Sequence, residues 1–101
     1  MIIITGRAVV AEGNRKRFFQ IAEAQTRASR MEAGCLEYGF YEDGMVPGQF
    51  LFLEKWKDQA AVDFHFKQDY CLDFITKARE LSAGDPDITI FNVEDLRAVE
   101  P

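Results

Sequence analysis

Residues 35–57 read CLEYGFYEDGMVPGQFLFLEKWK, and this stretch decides the fold. The segments 35–41 and 50–57 are rich in aromatic and aliphatic residues, which favours two β-strands. Residues 42–48, which separate them, contain two Gly and one Pro, and such a composition is typical of a loop. The sequence therefore predicts a β-hairpin in the middle of the chain.

The segments before the hairpin predict one strand and one helix. Residues 2–10 are mostly β-branched and predict the first strand. Residues 15–31 predict a helix capped by Asn14 and stopped by Gly34. Its apolar residues recur at the three- and four-residue spacing that places them on one face: Phe18, Ile21, Ala22, Ala28 and Met31.

The segments after the hairpin predict two helices and a last strand. Asp58 can cap a short helix that runs to residue 66, and a second helix spans 69–81. Residues 88–93 alternate as a strand. The order of elements predicts an α+β fold with an antiparallel sheet, the split βαββαβ arrangement of ferredoxin-like folds, as one domain over residues 1–101.

The hairpin strands are apolar on both faces, which a sheet covered by helices on one side does not need. Leu36, Tyr38 and Phe40 alternate with Gly39 and Tyr41. The chain has no further element to cover the second face. We therefore expect a homodimer in which two copies pack sheet against sheet.

Composition and charge exclude several classes of partner. The net charge is −5 and the acidic residues are scattered, so we expect no nucleic-acid partner. Apolar runs stay far below the roughly 18 residues that span a bilayer, so we expect no membrane segment. The two cysteines, Cys35 and Cys71, have no metal-ligand spacing and no signal segment precedes them, so we predict reduced thiols in a cytoplasmic protein.

His65 and Glu54 are the candidate catalytic residues. His65 is the one histidine and lies between Phe64 and Phe66, which fits either a proton carrier in apolar surroundings or a core histidine bonded to a carbonyl. Glu54 interrupts an apolar strand on the face of Trp56, so it is either paired, with Arg27 or Arg30, or a proton acceptor lining a cavity.

Four aromatic residues are candidates for binding a flat ligand, with an ordinary core as the alternative. They are Tyr38, Trp56, Tyr70 and Phe74. Cys35 and Cys71 fit small core residues. The sequence has no glycine-rich phosphate loop, no paired cysteines and no cluster of metal ligands, so we expect no metal and no cofactor.

Two segments carry a resemblance to a known family. Residues 29–38 (SRMEAGCLEY) and 50–61 (FLFLEKWKDQAA), followed by His65, resemble the antibiotic-biosynthesis monooxygenase family. The resemblance covers nearly the whole chain. It implies a dimeric α/β barrel with a pocket between sheet and helices, and oxygenation of quinols or polycyclic phenols by molecular oxygen without metal or flavin. His65, Glu54 and Trp56 are the matching positions.

The sequence departs from that family at two places. Asp69-Tyr70-Cys71 stands where relatives often carry Pro-His-Phe, so Tyr70 is expected to replace a second imidazole. Residues 2–10 contain no Asn, which the haem-degrading branch uses on its first strand, and this argues against haem.

The leading functional hypothesis is a cofactor-independent monooxygenase of a quinol or phenol, with His65 as general base and Glu54 orienting it or binding a substrate hydroxyl. One alternative is an acid/base isomerase of a small hydroxyketone or sugar phosphate, with Lys55, Lys57 and Lys67 as available phosphate anchors. The other is a ligand-binding protein without turnover.

Overall fold

The elements of the chain follow the predicted order. The computed structural model describes residues 1–101. Its elements are β1 (Ile2–Val9), α1 (Glu12–Arg30), β2 (Cys35–Glu42), β3 (Gln49–Trp56), α2 (Gln59–Lys67), α3 (Asp69–Leu81) and β4 (Asp87–Asn92). The strand ends lie within one residue of the prediction, because alternation and turn residues mark them clearly.

The four strands form one antiparallel sheet in the order β2-β3-β1-β4. This order and the three helices confirm the predicted α+β, ferredoxin-like fold. The core lies between one sheet face and the helices, where Phe18 of α1 packs against Phe50 and Phe52 of β3. None of the helices combines the length and apolar character needed to cross a membrane.

Helix α1 begins at Glu12, earlier than predicted. Its N-cap is Ala11, whose side chain makes no capping bond, so the prediction of Asn14 as the cap is wrong. Asn14 lies inside the first turn, and its Nδ2 donates to the carbonyl of Leu81 at 3.3 Å. Glu12 in the first turn stabilises the early start because a carboxylate interacts favourably with a helix N-terminus.

The buried face of α1 is more polar than its apolar spacing predicts. Met31 is 85% exposed at the C-cap, so its predicted place on the buried face is wrong. The face instead buries Gln25, Thr26 and Ser29. The Ser29 hydroxyl donates to the carbonyl of Gln25, and the Thr26 hydroxyl donates to that of Ala22, so both bury a satisfied polar group.

Two glycines allow close approaches that fix the connections. A Cβ on Gly34 would collide with Cβ of Ala61, so this glycine lets the turn after α1 touch helix α2. Gly48 has φ +87° and lies against the carbonyl oxygen of Val10. A residue with a side chain would be strained there, and the end of the hairpin loop would separate from β1.

The sheet face that meets the helices carries the candidate residues of β3. Phe50, Phe52, Glu54 and Trp56 are all buried on it, as strand alternation predicts. In β2 the pairing register shifts between Cys35 and Glu37. Leu36 falls in this bulge and is 58% exposed, so it does not share the face of Tyr38 as alternation had predicted.

The opposite sheet face is largely apolar, with the Lys55–Glu37 ion pair on the same face, and has no cover within the chain. Ile3, Leu51 and Leu53 are half-buried on it, and Tyr41 and Phe91 are exposed. Strand β4 buries none of its six residues, since no helix packs over it. The chain alone therefore leaves an aliphatic surface in contact with water.

Candidate active site

His65 lies in the last turn of α2 and is buried, with a side chain that is 1% exposed. Its Nδ1 lies 2.7 Å from Oε2 of Glu32, which follows α1. The Tyr70 hydroxyl donates to the same oxygen. A carboxylate oxygen that receives both groups acts as acceptor, so Nδ1 of His65 carries the proton and Nε2 keeps its lone pair.

The lone pair of His65 Nε2 faces two other side chains. Sγ of Cys71, in the first turn of α3, lies 3.5 Å from it. Oε1 of Glu54 lies 3.8 Å away. In general-base catalysis a carboxylate holds one imidazole nitrogen, and the other nitrogen accepts the proton. Nδ1 and Nε2 of His65 have this arrangement.

Glu54 is buried and accepts a hydrogen bond from Nε1 of Trp56 at 3.0 Å. The predicted pairing with Arg27 or Arg30 is wrong. Arg27 forms an exposed pair with Glu23, and Nε of Arg30 donates to the Tyr38 carbonyl. Both arginines are exposed on α1 and do not reach the cavity side of β3.

Burial changes the proton affinities of this acid and base in opposite directions. It raises the pKa of Glu54 to about 7, with the bond from Trp56 opposing the change and Glu32 adding to it. It lowers the pKa of His65, and the hydrogen bond that Nδ1 donates to Glu32 opposes this change. Near neutral pH His65 therefore favours its neutral form while Glu54 is partly protonated, so the imidazole can accept a proton and the carboxyl group can donate one.

The four predicted aromatic residues take different places around His65. Tyr38 and Phe74 line the cavity beside it. Trp56 packs against the imidazole with ring centroids 4.4 Å apart and lies behind it, outside the cavity lining. Tyr70 also lies outside the lining and contacts Glu32 through its hydroxyl. Trp56 thus supports His65 and Glu54, and Tyr70 supports Glu32.

The cavity lies between β1, β3 and helices α1 to α3 and has a volume of about 90 Å³. Aromatic and aliphatic side chains form most of its surface. Its polar lining consists of Gln25, Glu54, His65 and Cys71 together with two arginines, Arg7 and Arg79. Ile88 of β4 and Pro86 just before it border the cavity, with Arg79 at the end of α3.

Sequence reasoning missed three residues of this site. Glu32 stands within the segment that carried the family resemblance, yet nothing local connects it with His65. Gln25 is a polar residue on the apolar face of a helix, and such a residue can indicate a buried polar site. Cys71 follows His65 by six positions, and only the break between α2 and α3 brings its sulfur to the imidazole.

Comparison with known proteins identifies the family. The family model described as antibiotic biosynthesis monooxygenase matches residues 1–77. The chain belongs to this family. The family match includes β1 to β3 and helices α1 to α3 as far as Lys77, and with them the cavity residues Gln25, Glu54, His65 and Cys71.

Two curated proteins are similar to this chain over most of its length. An uncharacterised protein of Synechocystis, sll1783, is 32% identical over 97% of the chain, which covers 67% of that relative. A Bacillus subtilis protein named "Putative monooxygenase YcnE" is 32% identical over 87% of the chain and 93% of its own length. Family membership and this relative support a general monooxygenase-like function.

Two solved structures have the same fold as this chain. A Deinococcus radiodurans structure, named as a putative antibiotic biosynthesis monooxygenase, is 25% identical with a TM-score of 0.93 over the full length of both chains. Rv0793 from Mycobacterium tuberculosis is 21% identical with a TM-score of 0.88 over 96% of this chain and 98% of its own. The similarity to Rv0793 shows a shared fold alone.

Proposed function

We propose that this protein is a cofactor-independent monooxygenase that oxidises a quinol or phenol with molecular oxygen. The observation that carries the proposal is the buried Glu32–His65 pair, which directs the free Nε2 of His65 toward a largely apolar cavity. A phenol gives up an electron to oxygen poorly until it loses its proton. A fixed base in the cavity therefore supplies the chemistry that such a reaction needs.

His65 is the proposed base. The substrate hydroxyl donates to Nε2, which takes its proton, and Glu32 stabilises the imidazolium through the bond to Nδ1. The phenolate then reacts with oxygen. One oxygen atom is inserted into a C–H bond of the ring and the other leaves as water, so a quinol becomes a hydroxylated quinone and no outside reductant is needed.

Glu54 is the proposed acid that faces a second oxygen of the substrate. Because its pKa is raised to about 7, part of the population is protonated at neutral pH and can donate a hydrogen bond to a carbonyl oxygen as the quinone forms. The aromatic side chains Tyr38 and Phe74 would flank the ring. Their apolar surface also excludes water, which competes for the phenolate.

The cavity volume favours a substrate with one ring. An apolar cavity of about 150 Å³ holds a benzene molecule, whereas this cavity measures about 90 Å³. Even one ring therefore requires the side chains that line the cavity to move apart, and we propose a monocyclic quinol or phenol because it requires less movement than a polycyclic one. Larger substituents would extend past Pro86 and Ile88 toward solvent.

Oxygen uptake tests the proposal. Protein freed of metal and flavin is mixed with monocyclic quinols in an oxygen electrode, and isotopically labelled oxygen is traced into the product. We expect uptake that falls about 100- to 10,000-fold in His65→Ala. Equal uptake by the wild type and His65→Ala would contradict the assignment of His65.

A second candidate function is the isomerisation of a small hydroxyketone, and the Glu54–His65 pair favours it. An acid and a base 3.8 Å apart can move a proton between adjacent carbons. Lys55, Lys57 and Lys67 do not line the cavity, so they offer no phosphate anchor there. Exchange of substrate protons with deuterated water, without oxygen uptake, would identify this activity.

We also propose a single-domain homodimer that works in the cytoplasm. The uncovered aliphatic face with Ile3, Leu51 and Leu53 supports a second copy as its cover. The free thiols of Cys35 and Cys71 support a reducing compartment.

A further inference from the structure

A second reactive group, the thiol of Cys71, faces the cavity beside His65. Its Sγ lies 3.5 Å from Nε2 of His65, and Nδ1 of the same ring lies 2.7 Å from Glu32. The three side chains stand in the order of a nucleophile, its base and the acid that orients the base. The oxidation proposed above uses no thiol.

An unpartnered acceptor next to Cys71 indicates that the cavity takes a ligand with a hydroxyl group. Gln25 is 3% exposed, and its Nε2 lies 3.6 Å from Sγ of Cys71 as donor. Its Oε1 is buried and has no hydrogen-bond partner in the chain. Because Gln25 lines the cavity, a bound O–H group would supply the missing donor.

We propose that Cys71 is a covalent binding site for quinones and related α,β-unsaturated carbonyl compounds. His65 is its base, and Gln25 accepts the hydroxyl of the adduct. This inference rests on the proposed function in one respect, the origin of the quinone. The proposed oxidation would release the quinone in the same cavity.

The addition balances without a further reactant. Sγ forms a bond to the ring carbon that lies β to a carbonyl carbon, and the thiol proton passes to Nε2 of His65. The electron pair of the ring C=C bond moves to the carbonyl oxygen, which takes the proton back from His65. The ring proton at the attacked carbon then moves to the second oxygen. Thiol and quinone sum to an S-aryl hydroquinone, whose hydroxyl can donate to Gln25.

The thiol depends on His65 for its reactivity. Burial raises the pKa of Cys71 to about 11, with Glu54 and Glu32 acting in the same direction, so little thiolate exists at neutral pH. Proton transfer to Nε2 during attack removes this obstacle. Cys35 is half-buried and lies outside the cavity lining, so it serves as the internal control.

Modification by 1,4-benzoquinone tests the site. The full chain is incubated without oxygen with one equivalent of the quinone, and the modified cysteine is identified by intact mass and peptide mapping. We expect Cys71 to react before Cys35, with the reaction kept in Cys35→Ser and lost in Cys71→Ser. His65→Gln should slow the reaction of Cys71 at least about 10-fold and leave that of Cys35 unchanged.

Three results would overturn the proposal: reaction of Cys35 first, an unchanged rate at Cys71 in His65→Gln, or no adduct at all. Unfolding cannot imitate the expected result, because it exposes both thiols and speeds both reactions. If circular dichroism finds His65→Gln unfolded, Glu32→Gln provides the same comparison. Oxygen uptake without an adduct would contradict the thiol site and agree with the proposed oxidation. An adduct without oxygen uptake would contradict the oxidation and agree with the thiol site.

Discussion

Nδ1 of His65 lies 2.7 Å from Oε2 of Glu32, and the two side chains are only 1% and 8% exposed. The pair joins the turn after α1 to helix α2, so it has a structural as well as a chemical role. Breaking a buried pair by removing one partner typically costs about 3 to 5 kcal/mol, because the other polar group stays buried. A conservative substitution is therefore needed to examine the chemistry.

Glu32→Gln is expected to lower kcat/KM about 10- to 100-fold and to move the acidic limb of its pH profile to lower pH. Glu32 raises the pKa of His65 against the effect of burial. Without the carboxylate the pKa falls further, so His65 stays neutral to lower pH but is a weaker base. The measurement is kcat/KM for a quinol across the pH range.

Glu23→Gln is the matched control for this change. Glu23 lies on α1 and pairs with Arg27 at the surface, so the same chemical substitution there leaves His65 untouched. A pH profile that is identical in the wild type and Glu32→Gln would show that Glu32 does not assist His65 as a base.

Glu54 should make the protein less stable as pH rises. Its pKa is raised from 4.5 to about 7, so between these values the unfolded chain releases a proton that the folded chain keeps. The free energy of unfolding then falls with rising pH and levels off above about 7, by up to about 3 kcal/mol. His65, with a lowered pKa, acts in the opposite direction below its ordinary value.

Denaturant titrations of Glu54→Gln at pH 5 and pH 8 isolate this effect. The variant should lose less stability than the wild type between the two pH values, since its amide does not titrate. Glu80→Gln, at an exposed position of α3, should keep the wild-type difference. An unchanged difference in Glu54→Gln would mean that Glu54 ionises normally in the folded protein.

Light scattering should report a mass of about twice 11.6 kDa, because the aliphatic sheet face is otherwise exposed. Leu53→Glu places a charge in the middle of that face and should yield the monomer. Leu72→Glu is the control, since Leu72 is 51% exposed on α3. A wild-type monomer at micromolar concentration would rule out the sheet-to-sheet assembly.

Phe74→Ala should enlarge the cavity and shift the substrate preference. Phe74 packs against Phe52 with ring centroids 5.5 Å apart, and both line the cavity. Its removal should raise the ratio of kcat/KM for a bicyclic quinol to that for a monocyclic one by about 10-fold, at a stability cost of about 2 to 4 kcal/mol.

Phe19→Ala serves as its control. Phe19 is 45% exposed and packs on Phe40, away from the cavity, so it loses aromatic packing without changing the cavity. A preference ratio that moves equally in both variants would indicate a general loosening of the fold.

The sequence predicted those site residues whose position follows from a regular period. Alternation along β3 placed Glu54 on the face of Trp56, and the helix pattern after Asp58 placed His65 in α2. It also predicted the sheet and the element order, since strand and turn residues repeat clearly along the chain.

The other site residues depend on contacts between distant segments. Glu32 lies in a turn 33 positions before His65, and turns have no period that reveals what their side chains face. The proposed arginine partner of Glu54 failed for the same reason. A buried carboxylate suggested a paired cation, whereas Glu54 lies among aromatic side chains and retains its proton more readily.

The position of strand β4 at the edge of the sheet affects how a substrate reaches the cavity. It pairs only with β1, none of its six residues is buried, and Ile88 within it borders the cavity. An edge strand of this kind can detach for short times without disturbing the core. Substrate entry and the transient release of β4 would then be one motion, so amide hydrogens of residues 87–92 should exchange quickly with solvent and become protected when the cavity is filled.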